Sequence, residues 1–204
     1  TQGTQSDDPV RAYAEVLLSE LEMLRKELAP GVRLSRLHWG GGTPTLMPAE
    51  MMRRVARAVL DAFPLAEGAE FSVEIDPNEI DDARMDALAE SGLTRASIGV
   101  QDFDPEIQKV IGREQSFEVT KRAVDMIRDR GIASLNADIL YGLPHQDPRR
   151  ISESVQKLFK IVKLDERYQR LKSGEEKATL LAEAENIYKN RVKDPSTALT
   201  KESK

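Results

Sequence analysis

Four short runs rich in apolar residues, Leu37 to Trp39, Phe71 to Ile75, Ala96 to Val100 and Ile139 to Tyr141, are each separated from the next by helical patterns. That alternation narrows the possible folds more than any other feature of the chain. Successive parallel strands need crossovers of about a dozen residues or more, and helices supply them in a right-handed sense. The chain therefore reads as α/β, with about four parallel strands in an open doubly wound sheet or part of a barrel. Helices are expected at Pro9 to Leu28, Pro48 to Ala62, Glu79 to Ser91, Pro105 to Ile111 and Ser116 to Arg130. Asp8 is expected to cap the first of these, and Gly92 and Gly131 to end two others in a left-handed conformation.

Composition removes several classes of function. No window holds the roughly 18 consecutive apolar residues of a membrane span, and 32% of the residues are charged. Thr1 to Asp8 is polar and acidic, with no apolar stretch behind a basic start, so a cytoplasmic location is expected. The net charge of -5, without a basic cluster interleaved with aromatics, speaks against nucleic acid. There is no cysteine, hence no disulfide, thiolate nucleophile or zinc ribbon, and no thiolate to hold an iron–sulfur cluster.

The composition also breaks near residue 150. Residues 1–150 carry 3 Lys and 15 Arg with a net charge of -8, whereas residues 151–204 carry 9 Lys and 3 Arg with a net charge of +3. After Pro148 the pattern is all helix, first with Ile151, Val155, Leu158, Phe159 and Val162 on one face, then from about Glu175 to Val192. The break and the change of pattern set an α/β portion apart from a Lys-rich helical ending, which is either a foreign or rearranged tail or a merely exposed helical one.

In parallel α/β folds ligands collect at the C-terminal ends of the strands. Gly40, Gly41, Gly42, Thr43 and Pro44 follow the first strand, a run that either lets a ligand approach the main chain or simply makes a tight βα turn. It lacks the spacing of the phosphate loop and of the dinucleotide fingerprint. Glu74 and Asp76 share a face at the end of the second strand, suited to acid–base work or to accepting ribose hydroxyls, or merely solvated. Gln101 ends the third strand, and Asp104 before Pro105 is most simply a helix cap. Asp138 sits within an apolar strand, where a carboxylate is costly unless paired. Arg113 suits a bidentate carboxylate pair or a surface ion pair.

Taken in order, these elements resemble one family. The segments His38 to Thr45, Val73 to Pro77, Ser97 to Phe103, Gly112 to Gln115 and Asp138 to Pro144 are similar to radical S-adenosylmethionine (SAM) enzymes of the oxygen-independent coproporphyrinogen III oxidase (dehydrogenase) family. The resemblance runs from about Asp8 to residue 157. A related haem chaperone shares the glycine run, but Trp39 and Arg113-Glu114-Gln115 resemble the oxidase branch. The resemblance implies a six-stranded partial (βα) barrel with SAM in its mouth, of which residues 1–157 are an incomplete portion and outside which residues 158–204 form a Lys-rich helical tail. By it, Gly41, Gly42 and Thr43 contact the methionine ends of the cofactor, and Glu74 and Gln101 hold ribose hydroxyls. Arg113 takes a methionine carboxylate, and Asp138 helps hold a second SAM. The family enzyme cleaves SAM at a [4Fe–4S] cluster, and the radical abstracts hydrogen from a propionate that then becomes a vinyl group, a step of haem biosynthesis.

The chain also departs from that pattern. The family's cluster is held by a short cysteine motif after the first barrel strand, and this sequence begins downstream of that position. His38 and His145 are too few to replace three thiolates, so no metal ligand and no catalytic residue is assigned. Radical catalysis by the chain alone is expected to be absent, and the strand at Leu37 to Trp39 is expected to be an open edge or one covered by other helices. Two readings follow. One is an oxidase fragment that retains its cofactor residues, and the other is a non-catalytic SAM-binding or protein-interaction module that self-associates through open sheet edges.

Overall fold

The computed structural model describes residues 7–162; the second expected tail helix, and everything else beyond Val162, lies outside them. The element order is α1 (Asp8–Glu27), β1 (Leu34–Trp39), a 3-10 turn at Pro44–Leu46, α2 (Ala49–Ala62), β2 (Leu65–Ile75), α3 (Asp82–Glu90) and β3 (Arg95–Gln101). Then come α4 (Pro105–Val110), α5 (Phe117–Asp129), β4 (Ser134–Ile139) and α6 (Pro148–Val162). The strands form one sheet in the order β1-β2-β3-β4, with β1 parallel to β2 and β2 parallel to β3. Sequence order and spatial order coincide, as in a barrel wound in one direction. Among the described residues β1 is an edge strand.

Two compact units can be recognised: residues 7–99 with Asp125–Ala137, and Val100–Val124 with residues 138–162. In the first, β2 buries Phe71, Val73 and Ile75, and β3 buries Ala96 and Ile98, alternate positions that share one face of the sheet. Met52 and Val55 of α2, and Met85 and Leu88 of α3, are buried at helical spacing. Arg130 fastens the turn after α5 to α3, donating to Asp86 at 2.7 Å and Asp82 at 2.9 Å. Gly92 and Gly131 follow α3 and α5 at φ 88° and 74°, as the sequence suggested.

The second unit is organised by a buried carboxylate. Asp102 accepts from the Asp104 amide (2.8 Å), the Ser154 hydroxyl (2.6 Å) and the Gln146 side-chain amide (2.5 Å). Its own carbonyl accepts from Gln108 (2.8 Å), which also bonds both backbone groups of Gln115. Asp104 caps α4 by accepting from Glu106 and Ile107, as expected.

Asp147 precedes α6 and accepts from the amides of Arg149 (2.8 Å) and Arg150 (2.9 Å). The Arg150 amide is the main cause holding its carboxyl below the ordinary range. Because the folded-state value is lowered, this contribution is present above the unfolded carboxyl range and is lost as pH falls through the folded one. Asp147→Ala is expected to cost about 1 kcal/mol at neutral pH, as N-cap losses do. In a denaturation series run down in pH, the difference from wild type should vanish in acid.

Several local expectations need correction. Asp8 does not cap α1 but lies in its first turn; Asp7 precedes the helix in helical backbone and makes no side-chain cap bond. α3 starts later than Glu79 because Asp81 caps it, accepting from the Arg84 amide. β4 occupies Ser134–Ile139 and not Ile139 to Tyr141, leaving Leu140 and Tyr141 exposed after the strand. Asp138 is exposed at the end of β4, so its carboxylate keeps its hydration and the expected burial cost does not arise.

Candidate functional site

Strand register makes one face of the sheet polar. Arg36 and His38 on β1 stand beside Glu70 and Ser72 on β2, which align in turn with the row of Arg95 and Ser97 on β3. Glu70 lies 3.5 Å from Arg36 and 3.6 Å from Arg95, and Ser97 accepts from Asn136 of β4 at 3.2 Å. The opposite face carries the buried apolar row, with Trp39 meeting Phe71 edge to face at 5.4 Å. A parallel sheet covered by helices on one face and polar on the other suits the interior of a barrel.

At the C-terminal end of this face the first unit brings together the glycine loop and Glu74. Gly41 and Gly42 adopt φ of 75° and 86°, which disfavours any other residue, and a Cβ at either would meet nothing within 4 Å. The loop is therefore open to a ligand. The Gly41 amide donates to Glu74 Oε2 at 3.3 Å, and Glu74 is about half exposed. Thr43 leads into the 3-10 turn, where buried Thr45 accepts from the Asp76 amide at 3.3 Å. Asp76 lies just past β2 and turns its carboxylate back to the Asn78 amide. A groove of about 790 Å³ runs along the loop, bordered by Val10, Tyr13 and Leu17 of α1 and by Leu37, His38 and Trp39 of β1.

The other three expected residues belong to the second unit. Gln101 ends β3 with φ 65°, a strained conformation for a residue with a side chain, and its carbonyl accepts from the Leu140 amide at 2.9 Å. Its Oε1 is buried with no hydrogen-bond partner among the described residues. Asp138 is exposed near the end of β4, the strand next to β3. Arg113 is half-buried in the turn after α4, its amide donating to the Gln108 carbonyl at 2.9 Å.

The sequence presents His38 only as an inadequate cluster ligand within the first motif and does not single out Ser72. The signal was there in the period-2 polar alternation of Arg36 and His38 and of Glu70, Ser72 and Glu74.

Four parallel strands in sequential order, with a glycine loop and a carboxylate at their C-terminal ends, define part of a ligand-binding (βα) barrel. Residues 5–158 match the model of the radical SAM superfamily, and the chain belongs to that family. It is 90% identical over 158 residues to the oxygen-independent coproporphyrinogen III oxidase of Paracoccus denitrificans, covering 78% of this chain and 35% of that protein. The corresponding protein of Helicobacter pylori is 35% identical over 150 residues, or 73% of this chain and 33% of the relative. The solved coproporphyrinogen III oxidase of Escherichia coli, described as a radical SAM enzyme, superposes with a TM-score of 0.73 at 34% identity, over 78% of this chain and 36% of that one. A radical SAM methyltransferase from Kitasatospora setae shares the fold at TM-score 0.54 and 21% identity, over 72% of this chain and 29% of that one. The chain thus spans about a third of the length of the curated relatives it matches.

Radical SAM proteins use SAM and a [4Fe–4S] cluster. The residues present fit the first: within the first unit an open glycine loop with a carboxylate beside it is complementary to an amino acid joined to a ribose. They do not fit the second, because none of the 204 residues is a cysteine and no group of three His, Asp or Glu among the described residues could hold a metal. No helix among the described residues is long and apolar enough to cross a membrane.

Proposed function

We propose that this chain is a SAM-binding portion of an oxygen-independent coproporphyrinogen III oxidase, acting in the cytoplasm, and that alone it does not catalyse the oxidation. Gly41, Gly42 and Thr43 receive the methionine end of the cofactor, Glu74 and Gln101 accept from ribose hydroxyls, Arg113 pairs with the methionine carboxylate, and Asp138 contributes to a second SAM. Bound at a cluster, SAM supplies the radical that starts decarboxylation of a propionate, and this chain has no thiolate to hold that cluster. The observation that carries the reading is the open glycine loop whose Gly41 amide already meets Glu74. Residues 1–157 form the barrel portion in this reading, and 158–204 a separate Lys-rich tail.

Thermal unfolding with and without excess SAM tests it. A ligand that binds only the native state adds RT ln(1 + [L]/Kd), about 2.7 kcal/mol at 100 times Kd. SAM is expected to raise the midpoint, and Glu74→Ala or Arg113→Ala to abolish the rise. A cooperative transition that SAM leaves unmoved would sink the reading. Coproporphyrinogen III, offered anaerobically with reductant and SAM after cluster reconstitution, is expected to stay unconverted; vinyl product would overturn the incompetence.

One observation favours a second reading, an interaction module that self-associates. β1 is an edge strand, and α1 exposes Tyr13, Val16, Met23 and Leu24 to more than half their surface. Sedimentation across a concentration series separates the two: a mass that stays monomeric removes it.

A further inference from the structure

Glu74 is held from two sides. The Gly41 amide donates to Oε2 at 3.3 Å, and His38 Nε2 stands 3.6 Å from Oε1, an electrostatic contact longer than a hydrogen bond. His38 is itself anchored: its register partner across the strands is Ser72, whose Oγ lies 2.9 Å from Nδ1. Ser72 is 6% exposed and His38 about half exposed, so the ring is fixed at its inner nitrogen and free at its outer one. The arrangement closes over Gly40, where a Cβ would meet His38 Nε2 at 2.5 Å and Glu74 Oε1 at 2.9 Å.

Chemistry selects one tautomer. A carboxylate opposite Nε2 favours the proton on that nitrogen, because a bare lone pair there would face a like charge. The Ser72 hydroxyl then donates to Nδ1 at 2.9 Å in preference to the Leu37 carbonyl, which lies at the longer distance of 3.5 Å. Ser72 is buried, so its hydroxyl anchors the ring and is not presented to a substrate as a nucleophile. With one N–H directed at each oxygen, the carboxylate retains one further acceptor position per oxygen. Two parallel acceptors match the two O–H donors of a vicinal diol.

We propose that His38, anchored by Ser72, is a positioning residue that presents Nε2–H to Glu74 and fixes its carboxylate to receive the vicinal hydroxyls of a ribose. The inference rests on the SAM reading for the identity of the diol and on this chain's own contacts for the rest. Residue 40 is glycine because any side chain there would part His38 from Glu74.

Two measurements on the full chain test it. In the ligand-free protein at about pH 8, above the ordinary imidazole range, the ¹⁵N shifts of His38 should report Nε2–H, and Glu74→Ala should erase that bias. Calorimetry should then show wild type preferring SAM over its 2′-deoxyribose analogue by about tenfold or more, the worth of a hydrogen bond to a charged group. His38→Ala should collapse that ratio toward one with little change in affinity for the deoxy analogue. His38→Gln, whose amide replaces Nε2, should restore it, and His38→Asn, which replaces only Nδ1, should not. A merely structural histidine would weaken both ligands alike and leave the ratio, which overturns the proposal, as does a His38 tautomer indifferent to Glu74→Ala. Tautomer coupling without any SAM binding by wild type would overturn the cofactor reading and the diol, and leave His38 as the residue that holds Glu74. Ser72→Ala, which shifts the anchor and not the contact, provides the variant should His38→Ala fold poorly; the ratio should fall in it too.

Discussion

Asp102→Ala is expected to lower the stability of the chain by about 4 kcal/mol, a large share of the roughly 5–15 kcal/mol that holds a domain of ordinary size. The substitution leaves the Ser154 hydroxyl, the Gln146 amide and the Asp104 amide without the acceptor they now share. Each buried donor left unmade costs about 1–3 kcal/mol, less what water recovers. Asp102 is fully buried, so that recovery is small. Two neighbours serve as controls. Asp104→Ala removes the cap of α4 and the ion pair with Arg150 and should cost about 1–2 kcal/mol, and Ser154→Ala removes one donor to the carboxylate, which keeps two, together with the acceptor of the Phe103 amide. Urea denaturation with an unchanged slope reads these differences. An Asp102→Ala midpoint no lower than that of Asp104→Ala would show that the network does not organise the second unit.

The same aspartate shows what was legible in the sequence. Gln101-Asp102-Phe103 stands out as a motif, yet its residues divide between two tasks that spacing alone does not separate. Gln101 keeps a buried oxygen without an internal partner, whereas Asp102 satisfies Gln108, Gln146 and Ser154 from three different parts of the chain. Gln115, conspicuous beside Arg113, likewise bonds to Gln108 and Thr120. Local pattern carried the fold further than the site. The α/β order and the caps at Asp104, Gly92 and Gly131 depend on a few neighbouring residues, and the structure has them. β4 was misplaced because Ser134 and Asn136 dilute its apolar signal, and only its partner strand explains them: Asn136 bonds across to Ser97. His38 reads in the sequence only as an inadequate cluster ligand for a similar reason, since its partners Ser72 and Glu74 lie some 34 and 36 positions away.

Phe71→Ala is expected to cost about 3–5 kcal/mol, the usual range when a fully buried phenylalanine is truncated and its cavity only partly closes. Phe71 is 0% exposed and is the largest of the fully buried side chains among the described residues. It also meets the edge of Trp39 on the open strand β1, so its loss removes an aromatic contact from the strand that carries the glycine loop. Phe71→Leu keeps most of the volume and should cost about 1.5 kcal/mol or less. Tyr13→Ala removes a comparable ring from α1, yet Tyr13 is 64% exposed and its loss should stay within about 0.5 kcal/mol. The contrast tests the assignment of the two sheet faces, because a shift of register by one residue would exchange them. Were Phe71→Ala to unfold no more readily than Tyr13→Ala, Phe71 would not be core. Arg36, His38, Glu70, Ser72 and Glu74 would then turn inward, and the polar row that supports the candidate site would be the buried one. A full 3–5 kcal/mol loss fixes Phe71, Val73 and Ile75 against the helices and leaves Glu74 on the face open to a ligand.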